Sequence, residues 1–459
     1  MTVRQHEDLF KHLFPGDGLE AAAIVLCGRA HHAGAQRLIV HRVHPVPYDQ
    51  CDRSEMQVRW KTDLLEPLLG EAERRGLAIL TIHCHPNGYP RFSDQDDTAD
   101  KELFSSVYGW FADELSHASA VMMPNGRVIA RVVQVDGSFE TISLVTAVGD
   151  ELAFWLAVEH TVGSPEHAVR SIQAFGQGTY SMLRRLRIAV IGASGTGSLV
   201  IEQLVRSHVG RLHIFDPDKI EDRNLNRIPH TTMKNAVDGI AKVTCLAEAA
   251  RAIGFELEIV PITKSIHNPE VIRELSTCDI VFGCMDTIDG RALLNRIATF
   301  YSIAYFDVGV RLDADGKGGV DQICGAVHYF QPGRSSFFTR KIFTSDDVAA
   351  AAFKRSDPAE YKKRLRQKYL KGVRENQPAV MPINMVFAGL VVMEFFARIH
   401  PYRVDSNADY AWINVSLSHG IYDHGPDAAD CPSLIRYVGR GDCIPLLDMP
   451  DYTELPKAA

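Results

Sequence analysis

The chain has no excess of positive charge: 49 Lys and Arg are outnumbered by 57 Asp and Glu, a formal charge of −8 over 459 residues. That balance supplies no basic field to clamp a phosphate backbone, which excludes nucleic acid as the first choice of partner. Long apolar runs are missing too. Residues 21–26 and 387–396 are too short or too interrupted to span a bilayer, and residues 1–14 mix charge with Leu and Phe unlike a secretory signal. The expectation is a soluble, cytoplasmic protein with no membrane partner. The nine cysteines stand without paired spacing, which argues against a disulfide framework and for reduced thiols. No internal repeat is present, and the only low-complexity stretch is the alanine run 349–352. What the chain does have is bulk: 46% hydrophobic residues over this length are enough for two or three cores.

The pattern predicts an α/β protein in three stretches. Residues 1–148 read as an α+β unit, with strands at 21–26, 36–44, 77–84, 118–123 and 128–135 and helices at 55–75 and 94–116. Residues 149–185 read as a mostly helical connector, broken at Gly163-Ser164-Pro165 and turning at Gly176-Gln177-Gly178. From 186 to 459 the order becomes strand, glycine turn, helix, strand, repeated. That order predicts a doubly wound, mainly parallel sheet of the Rossmann-like kind.

The sharpest local signal is His83-Cys84-His85-Pro86 at a strand end, followed by Ser93 and Asp96. Side chains two apart on a strand share a face, so His83 and His85 can reach one ion while Cys84 points away. Asp96, one turn into the next helix, completes a set of two imidazoles and a carboxylate. Such a set leaves a fourth position for water, as in a catalytic zinc site. Ser93-x-x-Asp96 is also an ordinary helix-capping pair. Asp94 and Asp97 are rival carboxylates, rotated about 200° and 100° around the helix from Asp96.

These residues match the signature His-x-His-Pro-(x)6-Ser-x-x-Asp of the JAB/MPN metalloproteases, and residues 10–135 resemble that family. The resemblance implies a zinc isopeptidase fold and three roles. His83, His85 and Asp96 would bind zinc, Ser93 would help hold the oxyanion, and an upstream glutamate would act as general acid and base. Glu20 is the counterpart of that glutamate, with Glu55 as its rival.

In the C-terminal stretch, Gly192-Ala-Ser-Gly195-Thr-Gly197 follows a strand and opens a helix, and the next strand ends in Phe215-Asp216. Such glycines let a backbone approach phosphates, and the acid can bond a ribose. The next segment is unusually charged: Asp216-Pro-Asp218, Asn224-Leu-Asn-Arg227, Lys242, and Cys284-Met-Asp286-(x)4-Arg291. Nucleotidyl transfer needs that density, because a carboxylate nucleophile and a triphosphate are both anionic.

Residues 165–310 resemble the ThiF family, which includes the activating enzymes of ubiquitin-like proteins and their sulfur-carrier relatives, and Gln377 to Gly389 resembles its late helix. The resemblance implies that Gly192, Gly195 and Gly197 shape the phosphate turn of ATP and that Asp216, beside Asp218, holds the ribose. Asn224, Arg227 and Lys242 would contact the triphosphate, and Asp286 would hold magnesium. Arg170 resembles the arginine that reaches into a neighbouring subunit's site, which implies a homodimer.

Two departures from the family stand out. The Cys-x-x-Cys pairs that many relatives use for structural zinc are replaced by Pro332-Gly333-Arg-Ser335-Ser336 and Cys431-Pro-Ser-Leu, and the crossover stretch 335–377 holds no cysteine. The acyl acceptor therefore stays open between Cys431, Cys443, Ser335, Ser336 and none at all. The insert 345–374 reads as a solvated charged helix or a cover for the partner's tail.

The combined expectation is a bifunctional enzyme of a bacterial-type ubiquitin-like conjugation or sulfur-carrier pathway. It would adenylate the C-terminal glycine of a ubiquitin-like protein with MgATP and cleave that protein with zinc, with a conjugating enzyme as a further candidate partner. Two alternatives are an adenylating enzyme with an inert docking JAB domain and a nicotinamide oxidoreductase.

Overall fold

The structure is a computed structural model that describes residues 1–157, 163–315, 317–366 and 379–453. The C-terminal part of the insert and Gln377 of the late-helix run lie outside the described residues. The chain forms two compact units, Met1–His160 with Phe300–Ser302 and Tyr437–Ala459, and Thr161–Thr299 with Ile303–Arg436.

The first unit holds helices α1 (Val3–Leu13), α2 (Glu66–Arg75) and α3 (Asp94–Trp110). Its strands are β1 (Ala22–His32), β2 (Ala35–Pro45), β3 (Cys51–Arg53), β4 (Val58–Trp60), β5 (Ala78–Cys84), β6 (His117–Met122), β7 (Val128–Val133), β8 (Phe139–Thr141), β9 (Leu144–Val148) and β10 (Leu152–Leu156). Six of them form one sheet in the order β2-β1-β5-β6-β7-β8. Strand β1 is buried on both faces, which is why its sequence runs apolar without alternating. Val25, Ile82 and Met122 pack with Leu9 and Leu13 of α1, and Ile24, Leu26 and Ile79 pack with Leu69 of α2 and Phe104 of α3.

The expected helix over 55–75 is shorter than predicted. Only Glu66–Arg75 is helical, stopped by Gly76 in the left-handed region (φ +64°), and residues 51–60 form the β3–β4 hairpin instead. The start of the predicted connector is likewise extended, as β10 pairs antiparallel with β9.

The last described residues belong to this first unit, so the span 186–459 expected for the C-terminal domain divides at Arg436. Around the irregularity of β1 at Leu26/Cys27, Gly28 N–H donates to the Gly439 carbonyl at 3.2 Å and Asp442 N–H to the Arg29 carbonyl at 2.7 Å. His41 Nδ1 donates to the Val438 carbonyl at 2.6 Å. A Cβ at position 28 would lie 2.3 Å from the Gly439 oxygen, and backbone cannot rotate away as a side chain can. Gly28→Val is therefore expected to cost about 1–3 kcal/mol or more, read as an earlier thermal transition of the first unit. An unchanged transition would show that the C-terminal segment is not seated on β1.

The second unit holds α4 (Val169–Leu183), α5 (Gly195–Arg206), α6 (Met233–Val237), α7 (Lys242–Ala252), α8 (Pro269–Ser276), α9 (Ile288–Tyr301) as far as Thr299, α10 (Ser345–Ser356), α11 (Pro358–Arg366) and α12 (Met381–Ile399). Its strands are β11 (Arg187–Ile191), β12 (Arg211–Phe215), β13 (Glu258–Ile262), β14 (Ile280–Gly283), β15 (Ala304–Ala314), β16 (Val320–Phe330), β17 (Trp412–Ser416) and β18 (Ile421–Gly425). They form one sheet in the order β13-β12-β11-β14-β15-β16-β17-β18. The first five are parallel and the rest antiparallel, so the expected doubly wound sheet carries an antiparallel extension.

The run 387–396, read as too interrupted to span a bilayer, is part of α12, whose 19 residues and hydropathy of 1.5 are enough by length and composition. Its apolar side packs on the sheet, with Phe395 edge-on to Phe282 and Phe306. Glu394 and Arg398, both about 1% exposed, form an ion pair within that buried side. The Gly176 turn survives as a kink (φ +82°) inside α4.

Candidate functional sites

In the first unit the site is built by strand pairing. Ala22 of β1 stands opposite His83 of β5, and Cys84 N–H bonds the Ala21 carbonyl, so the same register puts Glu20 opposite His85 on the sheet face that α3 covers. Cys84 points to the other face, where its thiol donates to the Leu13 carbonyl at 2.9 Å. Three ligand atoms converge. His83 Nε2 and His85 Nε2 stand 3.1 Å apart, and Asp96 Oδ1 and Oδ2 lie 3.2 and 3.5 Å from them. His85 Nδ1–H donates to the Tyr89 carbonyl at 2.8 Å, which fixes the tautomer and leaves the Nε2 lone pair facing the cluster. Two imidazole nitrogens and a carboxylate turned toward one point suit a divalent zinc ion.

Asp96 caps its helix and also faces the two histidines. Its Oδ2 accepts from Ser93 N–H at 2.6 Å and Ser93 Oγ–H at 2.8 Å, closing the cap of α3, while its oxygens face the histidines. Of its rivals, Asp94 is exposed and Asp97 is ion-paired to Arg131. Glu20 is 5% exposed, and burial raises its carboxyl above the ordinary range against the opposing pull of His83 and His85. Its rival Glu55 is exposed on the turn of the β3–β4 hairpin.

Sequence reasoning passed over Arg131. Its guanidinium lies between the rings of Phe92 and Phe139, at 3.8 and 3.6 Å, and donates to Asp100 at 2.7 Å and to Ser119 at 3.1 Å. It pins the first turns of α3, and with them Asp96, to the sheet.

In the second unit the strand order reverses beside β11, with β12 on one side and β14 on the other. Crevices for nucleotides open at the carboxyl ends of such strands. Gly192 (φ +93°) turns there with no room for a side chain, since a Cβ would meet the Cys284 carbonyl at 2.8 Å. Gly197 is tighter still, because its Cβ would lie 1.7 Å from the Gly192 oxygen. Asp216 Oδ2 accepts from Ala193 N–H at 2.8 Å and Oδ1 from Asp218 N–H at 2.9 Å, tying the end of β12 to the glycine turn. Burial raises its carboxyl, with Lys242 pulling the other way.

Lys242, expected on a triphosphate, is held here by acids: its Nζ is 2.8 Å from Asp218 and 3.6 Å from Asp216. Asn224 is 4% exposed, and its Oδ1 accepts from Glu221 N–H at 3.0 Å. Arg227 bonds Asn226 Oδ1 at 3.1 Å and packs its Cδ toward Gly195. Asp286 is exposed just past β14. Arg291, quoted with it in the motif, instead pairs with the fully buried Asp307. Arg170 is exposed in the first turn of α4 and bonds Gln173 of the same helix at 3.1 Å, so the chain's own fold leaves it out of the network around the glycine turn. Arg355 of the insert helix α10 pairs with the buried Asp289 of α9 at 2.8 Å.

Three of the four candidate acyl acceptors are buried. Ser335, Ser336 and Cys431 are 2% exposed or less. Cys443 lies in the first unit, where burial raises its thiol. At the place of the family's zinc pairs, Arg340 bonds Asp427 at 2.8 Å, Ser335 donates to the same carboxylate, and Cys431 N–H donates to the Arg334 carbonyl at 2.9 Å. Asp427→Ala would leave the buried Arg340 uncompensated, an expected loss of about 3–5 kcal/mol read by denaturant unfolding of the second unit. A shift under about 1 kcal/mol would mean that this network does not brace the fold.

Comparison with known proteins follows the same division. Residues 2–127 match prokaryotic homologs of the JAB domain, and residues 168–422 match the ThiF family. Ubiquitin-like modifier-activating enzyme 5 of Culex quinquefasciatus is 27% identical over 171 residues, which is 35% of this chain and 40% of that protein. The Caenorhabditis elegans enzyme of the same name is 25% identical over 200 residues, 40% of this chain and 44% of that protein. The chain thus spans less than half the length of these curated relatives. Among solved structures, E. coli MccB with ATP aligns with a TM-score of 0.45 and 15% identity over 59% of this chain and 74% of that one. With more than half of its length in the family match, the chain belongs to the ThiF family and carries a JAB-type domain ahead of it.

Proposed function

We propose that this chain adenylates the C-terminal carboxylate of a ubiquitin-like protein and hydrolyses a peptide or isopeptide bond at that same end. The observation that carries the reading is the acid and base arrangement at the glycine turn, with Asp216 hooked to Ala193 N–H and the Lys242 ammonium beside it. On nucleotide binding Lys242 exchanges Asp218 for the triphosphate, and Arg227 adds a second cation. Asp286, exposed beside the turn, holds magnesium. The partner's carboxylate oxygen attacks the α-phosphorus, the bond to the β-phosphate oxygen breaks, and pyrophosphate leaves. The name of the curated relatives, modifier-activating enzymes, points to the same class of substrate.

In the JAB unit His83, His85 and Asp96 hold zinc, which when bound supplies Lewis acidity toward water and a carbonyl. Glu20 takes a proton from the attacking water and returns it to the leaving amine, while Ser93 steadies the oxyanion. The burial of Ser335, Ser336 and Cys431 supports release of the acyl-adenylate to another protein, such as a conjugating enzyme. The exposed Arg170 is available to a second copy of the chain, as in a homodimer.

The test is ATP–pyrophosphate exchange with a small protein ending in Gly-Gly. Exchange that disappears in Asp286→Ala is the expected result. Absence of exchange with every such partner would sink the adenylation reading.

A further inference from the structure

Two helices of the second unit meet at the glycine turn, and a residue of the later one fills the space that a side chain at position 195 would need. Asn384, in the first turn of α12, is 4% exposed. Its Oδ1 accepts from Thr196 Oγ1–H at 3.4 Å. Its Nδ2 lies 2.2 Å from where a Cβ on Gly195 would stand, and Arg227 Cδ lies 3.1 Å from the same point. The N-cap of α5, Ser194, makes no side-chain capping bond, so the first amides of that helix take their orientation from the residues packed around them. A glycine in such a turn is ordinarily explained by the approach of phosphate. At Gly195 the nearest group to that missing side chain is an amide from α12, 188 residues along the chain from Thr196.

We propose that Asn384 is a positioning residue for nucleotide binding. It wedges against the open face of Gly195 and holds Thr196, so that the first-turn amides of α5 face the phosphates of a nucleoside triphosphate. The identity of the ligand rests on the adenylation reading above. The other polar groups on the buried side of α12, Glu394 and Arg398, are bonded to each other, which leaves Asn384 as the residue of that side committed to the turn.

The test uses the full chain, with MgATP affinity by calorimetry and thermal unfolding measured in parallel. Asn384→Ala is expected to raise the Kd for MgATP at least about tenfold, and Gly195→Ala to raise it further in the native background than in the Asn384→Ala background. The reason is that the vacated space admits the new methyl group. Asn384→Asp keeps the size and the acceptor for Thr196 but sets a carboxylate against the turn. It is expected to weaken MgATP by more than Asn384→Ala does, and to lower the unfolding temperature as well, since a buried carboxylate there is unpaired and repels the phosphates. Purely architectural packing would lower the unfolding temperature of Asn384→Ala with Kd unmoved and no coupling to Gly195, and that result overturns the inference. If the unaltered chain binds no MgATP, the adenylation reading falls and takes this inference with it. If it binds and both Asn384 variants bind as tightly, only this inference falls.

Discussion

In a Lys242→Ala chain, pyrophosphate exchange is expected to fall by about 10²–10³-fold while the second unit stays folded. Lys242 is 5% exposed and its ammonium pairs with both Asp216 and Asp218, so its loss leaves two carboxylates facing an incoming triphosphate. The effect on stability should be smaller than the effect on exchange. Asp216 keeps the amide donors of Ala193 and Asp218, and the Asp218 carboxylate is open to solvent. Exchange rates and an unfolding curve on the same preparation check both halves. Exchange within a few-fold of the unaltered chain would show that Lys242 belongs to the acids and not to the nucleotide.

The second large effect lies in the JAB unit. Glu20→Gln should keep stoichiometric zinc by elemental analysis and lose about 10²–10⁴-fold of the cleavage rate, because the amide preserves the shape and removes the proton carrier. Asp96→Asn should do the reverse. It keeps an acceptor for Ser93 N–H, so α3 stays capped, but it takes away the anionic ligand, and zinc content should fall with the fold intact. Were Asp96→Asn to hold zinc as well as the native chain, Asp96 would be a helix cap and nothing more.

The convergence of His83, His85 and Asp96 was legible because its geometry is local. A strand fixes His83 and His85 on one face, and a short loop with a capping serine brings Asp96 back to them. The glycine turn was legible for the same reason, since the strand, turn and helix that form it are contiguous. Glu20 was reached only through resemblance, because its place depends on the register of β1 against β5.

The misses have separate causes. Strands β3, β4 and β8 are three residues each, too short for alternation to show, and the β3–β4 turn at residues 54–57 offers no Asn-Gly or Asp-Gly pair. Asn384, Arg131 and the C-terminal segment on β1 make contacts across long spans of sequence, so no window read along the chain contains both partners. Lys242 was assigned to phosphate through the ThiF resemblance, and only the folded arrangement shows the acids that hold it.

The most direct test of two chemistries at one carboxyl end is an intact-mass measurement in a single reaction. A ubiquitin-like protein extended beyond its terminal glycine is incubated with the full chain, zinc and MgATP. The account predicts loss of the extension followed by the added mass of AMP on the trimmed protein, with Glu20→Gln blocking the first change and Asp286→Ala only the second. An extension that stays in place while a pre-trimmed partner gains AMP would contradict the shared-substrate claim and leave the JAB unit without this role.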